Sequence, residues 1–421
     1  MYTKKYNPFR PNSPAGPGMF AGRIHELNRI DDSLLRLKEG NPTHLMIVGE
    51  RGIGKSSLLF FSNMLARGQA KWQQDTTYEY CPIQFSIDKS LTRLGFVYKV
   101  KSALERHFNK EEKMISLFKK SWHFLQRLEI SGTKISASPS SEEQLIEDFA
   151  YSLVDTWKHI SSPSLLAEAG LLSKKEGIIL LIDEVDNASP ELDLGTFLKN
   201  LSEALQVEGC NNILFILSGL PRVRDVLRDS HPSSLRLFEE LELLPLTSDD
   251  IKSVYMRGLK IVNQKAPIKY SYDEKALEQM INISEGYPHF IQQIGFSTFD
   301  LNTEDIISIE TALSAIYGKN GAIDLIGDRY YRDMYYNKIK DDSYREILNI
   351  MADNPGNITS RQQLLTQFKG TPQSLDNGLR ALKTRNIILP IQGKVGQYRF
   401  QWLGFSVWIK AFSRKEKNKI S

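Results

Sequence analysis

The stretch Ile47-Val48-Gly49-Glu50-Arg51-Gly52-Ile53-Gly54-Lys55-Ser56-Ser57 decides the fold. Before it, His44 to Val48 is a short apolar run that reads as a buried strand. After it, Ser56 to Leu65 reads as a helix with one apolar face. Between them, Gly49 to Ser56 fits the pattern G-x-x-x-x-G-K-[ST]. Glycines allow backbone N–H groups to turn inward around phosphate oxygens, and the following helix adds its positive dipole end. The chemistry served is binding of ATP with Mg²⁺. Gly49, Arg51, Gly52, Ile53, Gly54, Lys55, Ser56 and Ser57 are the expected contacts. Lys55 would neutralise the β- and γ-phosphates, and the Ser56 hydroxyl would ligate Mg²⁺. A chance glycine turn would not need the Lys-Ser pair or the strand and helix around it.

A second part of such a site is legible about 130 residues further on, in Ile178-Ile179-Leu180-Leu181-Ile182-Asp183-Glu184. An apolar strand ends in two carboxylates, at the carboxyl edge where an open parallel sheet presents ligands. Asp183 is the candidate for the magnesium shell and Glu184 for polarising the attacking water. Ser218 ends the apolar run Ile213 to Leu217 and could reach the γ-phosphate or the water; it could equally be a turn serine. Arg236 could serve as an arginine finger toward a neighbouring subunit. Arg222, Arg224 and Arg228 compete with it, and a surface ion pair is the bland alternative for each.

Strands are expected at Ile83 to Ile87, Ile178 to Ile182, Ile213 to Leu217 and Leu241 to Leu246, separated by helices. That alternation predicts an α/β domain with a parallel sheet over residues 19–246. Residues 1–18, rich in Pro, Gly and Asn, read as an extended arm. A helix is expected from His25 to Glu39. The 101–175 stretch reads as an insertion holding a hairpin-like piece, Leu128 to Ser136, and a helix from Glu142 to Ile160. From Thr247 to about residue 340 the texture predicts helices only, a lid, with Ser248 and the Ser271-Tyr272-Asp273-Glu274 box as caps. Residues 343–405 give helices at Tyr344 to Met351, Ser360 to Phe368 and from Thr371 onward. Two strands, Ile387 to Ile391 and Gln397 to Trp402, flank Gly393-Lys394-Val395-Gly396. Three helices and a hairpin make a winged-helix pattern, with a basic tail at 406–421.

Together these pieces resemble the AAA+ superfamily, and within it the branch shared by origin-recognition-type initiators and STAND signalling ATPases. Phe20-Ala21-Gly22-Arg23 with Glu26-Leu27 is similar to the F-x-G-R-x-x-E-L motif, which in that group lies against adenine; the resemblance implies that Phe20 and Arg23 bind nucleotide. Asp183-Glu184-Val185-Asp186 resembles the initiators' acidic strand-end motif, and Leu217-Ser218-Gly219 stands in the sensor-1 place. Gly286-Tyr287-Pro288-His289 resembles the STAND lid motif, which implies roles for Pro288 and His289 beside the nucleotide. Initiators carry an arginine there. A neutral His289 cannot supply a fixed positive charge, which points to a slow switch rather than a fast motor. Self-assembly is a further implication.

Charge is unevenly spread. Ser343 to Ser421 holds thirteen Lys/Arg against four Asp/Glu, a balance of +9 in a chain of net +4, so the remainder carries −5. A basic module on an acidic body fits duplex DNA. If the third helix of the module enters a major groove, Arg380, Lys383 and Arg385 are its contacts, with Lys394 and Arg399 on the wing. The alternative partner is an effector protein docked on Gln373, Asp376 and Asn377; Asp376 near the helix start would repel phosphate. Only two cysteines occur, Cys81 and Cys210, so neither a disulfide framework nor a zinc site is expected. No apolar run nears the roughly 20 residues of a membrane span, and the sequence start has no signal-like apolar core. The expected setting is cytoplasmic.

Overall fold

The computed structural model describes residues 6–14, 19–72, 76–108, 120–125, 139–164, 174–354, 358–391 and 393–413. It resolves into two compact units, one of residues 23–244, the other of residues 1–22 with 245–421.

The 23–244 unit is a five-stranded parallel sheet of β1 (His44–Gly49), β2 (Cys81–Ser86), β3 (Ile178–Asp183), β4 (Ile213–Gly219) and β5 (Phe238–Leu243), in the order β2-β3-β4-β1-β5. Every residue of β1 and β4 is buried, as expected of strands covered by helices on both faces. Helix α1 (Ile24–Lys38) turns Leu27, Ile30, Leu34 and Leu37 inward, and α2 (Lys55–Ala66) follows β1 directly. Helices Arg93–His107, Pro139–Ser161 and Leu194–Val207 each contribute one ring to an aromatic knot. Phe96 meets Phe197 edge-on at 5.1 Å, and Phe149 stacks on Phe197 at 6.2 Å. Arg93 ties these helices at the polar end, bonding Glu142 and, at 2.6 Å, Asp193.

The fifth strand differs from the sequence reading. It runs Phe238–Leu243, not Leu241 to Leu246, because an edge strand needs only one buried face. Leu241 and Leu243 point inward on one face while Glu240 and Glu242 stay exposed on the other, where Phe238 at the strand's start is buried, so its alternation hides in the acidic run. Pro245, lacking an N–H, falls after the ladder. The expected hairpin-like piece Leu128 to Ser136 lies outside the described residues.

The second unit is not helical throughout. Ser271–Tyr272 pairs in parallel with Ile306–Ile307, so Ser271-Tyr272 is strand and Asp273 is the cap, accepting from Ala276 N at 3.3 Å. Thr247, rather than Ser248, caps the helix Ser248–Lys265, with Asp250 closing a reciprocal box. Further on, helices Asp342–Asp353, Arg361–Gln367 and Pro372–Thr384 are joined by a three-stranded antiparallel sheet. Its middle strand, Gln397–Phe400, pairs with both Ile388–Pro390 and Ile358–Ser360. That third strand stood unread because it is three residues long. Thr371 caps its helix as expected, with Pro372 in the first turn.

The described residues 6–14 of the N-terminal segment are held by Asn7, Phe9 and Arg10. Phe9 is 1% exposed, seated where a Cβ on Gly258 or Gly295 would lie 2.5 or 2.6 Å from its ring. Asn7 Nδ2 donates to the Phe296 carbonyl at 3.0 Å, and Arg10 N to Gln292 Oε1 at 2.9 Å. Among the described residues no helix is long and apolar enough to cross a membrane.

Candidate nucleotide site

The turn after β1 is built from backbone that only glycine takes easily. Gly52 and Gly54 have φ of 82° and 104°. At Gly49 a Cβ would come within 2.7 Å of Ile53 Cγ2. Lys55 opens α2 and folds back over the turn, its Nζ donating to the carbonyls of Gly49 and Glu50, both at 2.9 Å. Burial lowers its ammonium pKa below the ordinary value, and the fields of Asp183, Asp186 and Glu50 act in the opposite direction. From the next position, Ser56 Oγ donates to Asp183 Oδ2 at 3.0 Å. The glycine turn and the end of β3 therefore meet, although β4 lies between β1 and β3. Arg51 is exposed and Ser57 partly so at the start of α2.

β4 fills that gap with Ser218, in register with Ile47 of β1. Its side chain is fully buried, and its hydroxyl has no hydrogen-bond partner among the described residues. A buried hydroxyl left unsatisfied costs roughly 1–3 kcal/mol, so its position here favours a polar ligand.

Past β3 the chain turns sharply. Glu184 adopts φ 56°, a left-handed conformation rare without glycine, and its side chain is exposed. Its N–H donates to Asp183 Oδ1 at 2.9 Å, which orients the other carboxylate oxygen toward Ser56. Asp186, to which the sequence assigned no separate task, is buried and accepts from Leu220 N at 2.9 Å. It buckles the ends of β3 and β4 together. The only sequence signal was its place in Asp183-Glu184-Val185-Asp186.

Arg23 adopts φ 63° before α1. Its guanidinium reaches the Ile53 carbonyl at 3.0 Å and pairs with Glu26 at 3.2 Å, bracing the back of the glycine turn. Phe20, Pro288 and His289 belong to the other unit. Phe20 gives its carbonyl to Arg257 Nη1 at 2.8 Å. Pro288 opens the helix Pro288–Leu301, and the His289 ring lies 5.1 Å from that of Tyr330.

Of the four arginines weighed as fingers, three have partners. Arg222 bonds the Asp186 carbonyl, Arg224 pairs with Glu240 and Glu242, and Arg228 pairs with Asp225. Arg236 is exposed in the turn Ser234–Leu237, with no ion pair among the described residues.

In the C-terminal module, Arg380, Arg385, Lys394 and Arg399 are exposed. Arg385 donates to the Lys338 carbonyl and Arg399 to that of Phe400, both at 3.1 Å. Lys383 Nζ sits 5.7 Å from the Tyr398 ring centroid. Asp376 is not the isolated charge that the sequence suggested. Arg361 grips it through two hydrogen bonds of 2.6 and 2.9 Å, and the same contact lowers its carboxyl pKa below the usual range.

The whole chain superposes on the ORC2 protein of Aeropyrum pernix, solved in ADPNP-ADP complexes, with a TM-score of 0.57 at 14% identity, covering 99% of each chain. The chain has the AAA+ α/β fold. Cdc6p of Pyrobaculum aerophilum is also similar, with a TM-score of 0.44 at 13% identity over 98% of each chain. In sequence, an uncharacterised HTH-type transcriptional regulator of Methanocaldococcus jannaschii is 25% identical over 299 residues, 68% of this chain. The match spans 65% of that relative's length. No protein-family model matches the chain.

Proposed function

We propose that this chain is an ATP-binding and ATP-hydrolysing switch whose nucleotide state controls self-assembly and duplex DNA binding through a C-terminal winged helix. The observation that carries it is the 3.0 Å hydrogen bond between Ser56 and Asp183, which gathers the phosphate turn and a strand-end carboxylate at one point. Mg²⁺ would be held there by Ser56 and Asp183, where it screens phosphate charge. Lys55 exchanges its two loop carbonyls for phosphate oxygens. Glu184 orients and deprotonates the water, and the unsatisfied Ser218 hydroxyl donates to the γ-phosphate or to that water. Arg236, free of ion pairs among the described residues, is the finger toward a second copy. With His289 in the place of a lid arginine, turnover is slow.

For DNA, the support is the basic balance of residues 343–421 and the neutralisation of Asp376 by Arg361, which removes the repulsion expected at the recognition helix. The similar HTH-type regulator points the same way. One anisotropy experiment with labelled duplex tests the reading. Affinity should differ between ATP and ADP in the native chain and should be indifferent to nucleotide in Lys55→Ala. It should fall steeply with salt, with a shallower slope once Arg380, Lys383 and Arg385 are neutralised together. No duplex binding at low salt, with or without ATP, would remove DNA from the function. Unchanged ATP affinity in Lys55→Ala would remove the nucleotide site.

A further inference from the structure

A groove unrelated to the nucleotide residues opens along the helix Ser248–Lys265. Its volume is about 640 Å³. Met256, Leu259, Tyr270 and Leu277 supply an apolar floor and walls, and Met256 is 49% exposed at its centre. Lys252, Lys260 and Lys269 rim it against a single acid, Glu274. Lys252 and Lys260 make no ion pair among the described residues. They lie two helical turns apart on one face, with Met256 midway, so about 12 Å of rise separates their Cα atoms.

The wall is preformed. Asn263 Nδ2 donates to the Tyr270 carbonyl at 2.9 Å, and Tyr270 N returns a bond to Asn263 Oδ1 at 2.7 Å. Lys269 closes the same loop on the Asn263 carbonyl. Tyr270 is braced edge-on against Phe299 at 5.2 Å. Tyr272, which also lines the groove, keeps a buried hydroxyl with no hydrogen-bond partner among the described residues. Burial drives that phenol far above its ordinary pKa and keeps it protonated.

An exposed methionine stands between the two lysines, and among the described residues no glycine lines the groove to supply the amides of a phosphate cradle. An apolar floor between separated cations suits a chain that is acidic, then apolar, then acidic again. We propose that this groove docks an acidic segment of a partner protein, with an apolar or aromatic side chain over Met256 and flanking carboxylates on Lys252 and Lys260. This docking is independent of ATP and of the winged helix.

The test uses the full chain and a short labelled peptide with a Leu-Phe centre flanked by Asp and Glu, read by anisotropy at low salt. Saturable binding is expected. It should weaken about tenfold or more in Lys252→Glu/Lys260→Glu and in Met256→Asp, and should persist unchanged in Lys55→Ala. A milder Lys252→Gln/Lys260→Gln variant should fall between, with a thermal melt matching the native chain. Peptides with Asn and Gln for the acids, or Ser for Leu-Phe, should bind about tenfold more weakly. The proposal is overturned if the native chain does not bind the peptide, or if the lysine variants bind it as well as the native chain does. It is also overturned if duplex DNA displaces the peptide and loses affinity by the same factor in those variants, which would assign the groove to nucleic acid.

Discussion

Ser56 Oγ donates to Asp183 Oδ2 at 3.0 Å, reaching from the first turn of α2 to the tip of β3 past an intervening strand. A hydroxyl and a carboxylate at this spacing can exchange their mutual bond for a shared metal shell. Ser56→Ala and Asp183→Asn should each keep the fold and lower magnesium-dependent ATP affinity by roughly tenfold to a hundredfold. Nucleotide titrations with magnesium and with chelator check this. Equal magnesium dependence in the native chain and both variants would count against the shared shell.

Glu184 combines an exposed carboxylate with a left-handed backbone. Glu184→Gln should hold ATP normally and release phosphate roughly 10²–10⁴-fold more slowly. Glu184→Gly should be equally slow and also more stable by about 1 kcal/mol, since glycine relieves the positive φ. Phosphate release and denaturant midpoints, measured on the same samples, should thus move in opposite directions. Unimpaired turnover in either variant would take Glu184 out of the chemistry.

Phe9 fills a slot floored by two glycines. Phe9→Ala should cost about 3 kcal/mol in the helical unit, and Gly295→Ala about 1–3 kcal/mol by overpacking against the ring. Because the two residues touch, the double variant should lose less than the sum. Urea unfolding of all three variants reads this, and strict additivity would mean that the ring does not sit in the slot.

Glu285 ends the helix Glu274–Ser284 with φ 49°. Its carboxylate accepts from Leu403 N, but one oxygen is buried without a partner among the described residues. Desolvation lifts its pKa from an ordinary 4.5 to about 7, against the pull of the Leu403 N–H and Arg399. The folded state therefore holds a proton that the unfolded state has released. That stability is complete below about pH 4.5 and is lost as pH rises through about 7. Allowing for residual solvent contact, the change is about 2 kcal/mol. Glu285→Gln should abolish this component and stabilise the protein near pH 8. Denaturant midpoints at about pH 5 and about pH 8 would show it, and parallel pH profiles for the two proteins would refute it.

Where the signal is a local apolar run, the sequence was a sufficient guide to the strands. Four strands fell within about two residues of their expected places because three of them are continuous apolar runs, and the parallel sheet followed from their alternation with helices. The fifth strand was misplaced because its buried residues alternate with Glu, and the strongest apolar run, Leu243 to Leu246, lies mostly beyond it. Short ladders such as Ser271–Tyr272 with Ile306–Ile307 depend on a partner more than thirty residues away, and a window of local periodicity cannot register them. Candidate residues were readable from type and spacing. Their employment was not: Arg222 and Arg224 differ from Arg236 only in what the fold places beside them, and Asp376 is neutralised by an arginine fifteen positions away.

The clasp on Phe9 bears on how this polypeptide can be cut. Residues 6–14 and 19–22 belong in space to the half that begins at Pro245. A fragment starting near that proline would therefore display an open greasy notch at Gly258 and Gly295, and its stickiness would say little about the intact molecule. Dissection calls for joining the leading strap to the trailing half by a linker, with residues 23–244 expressed on their own.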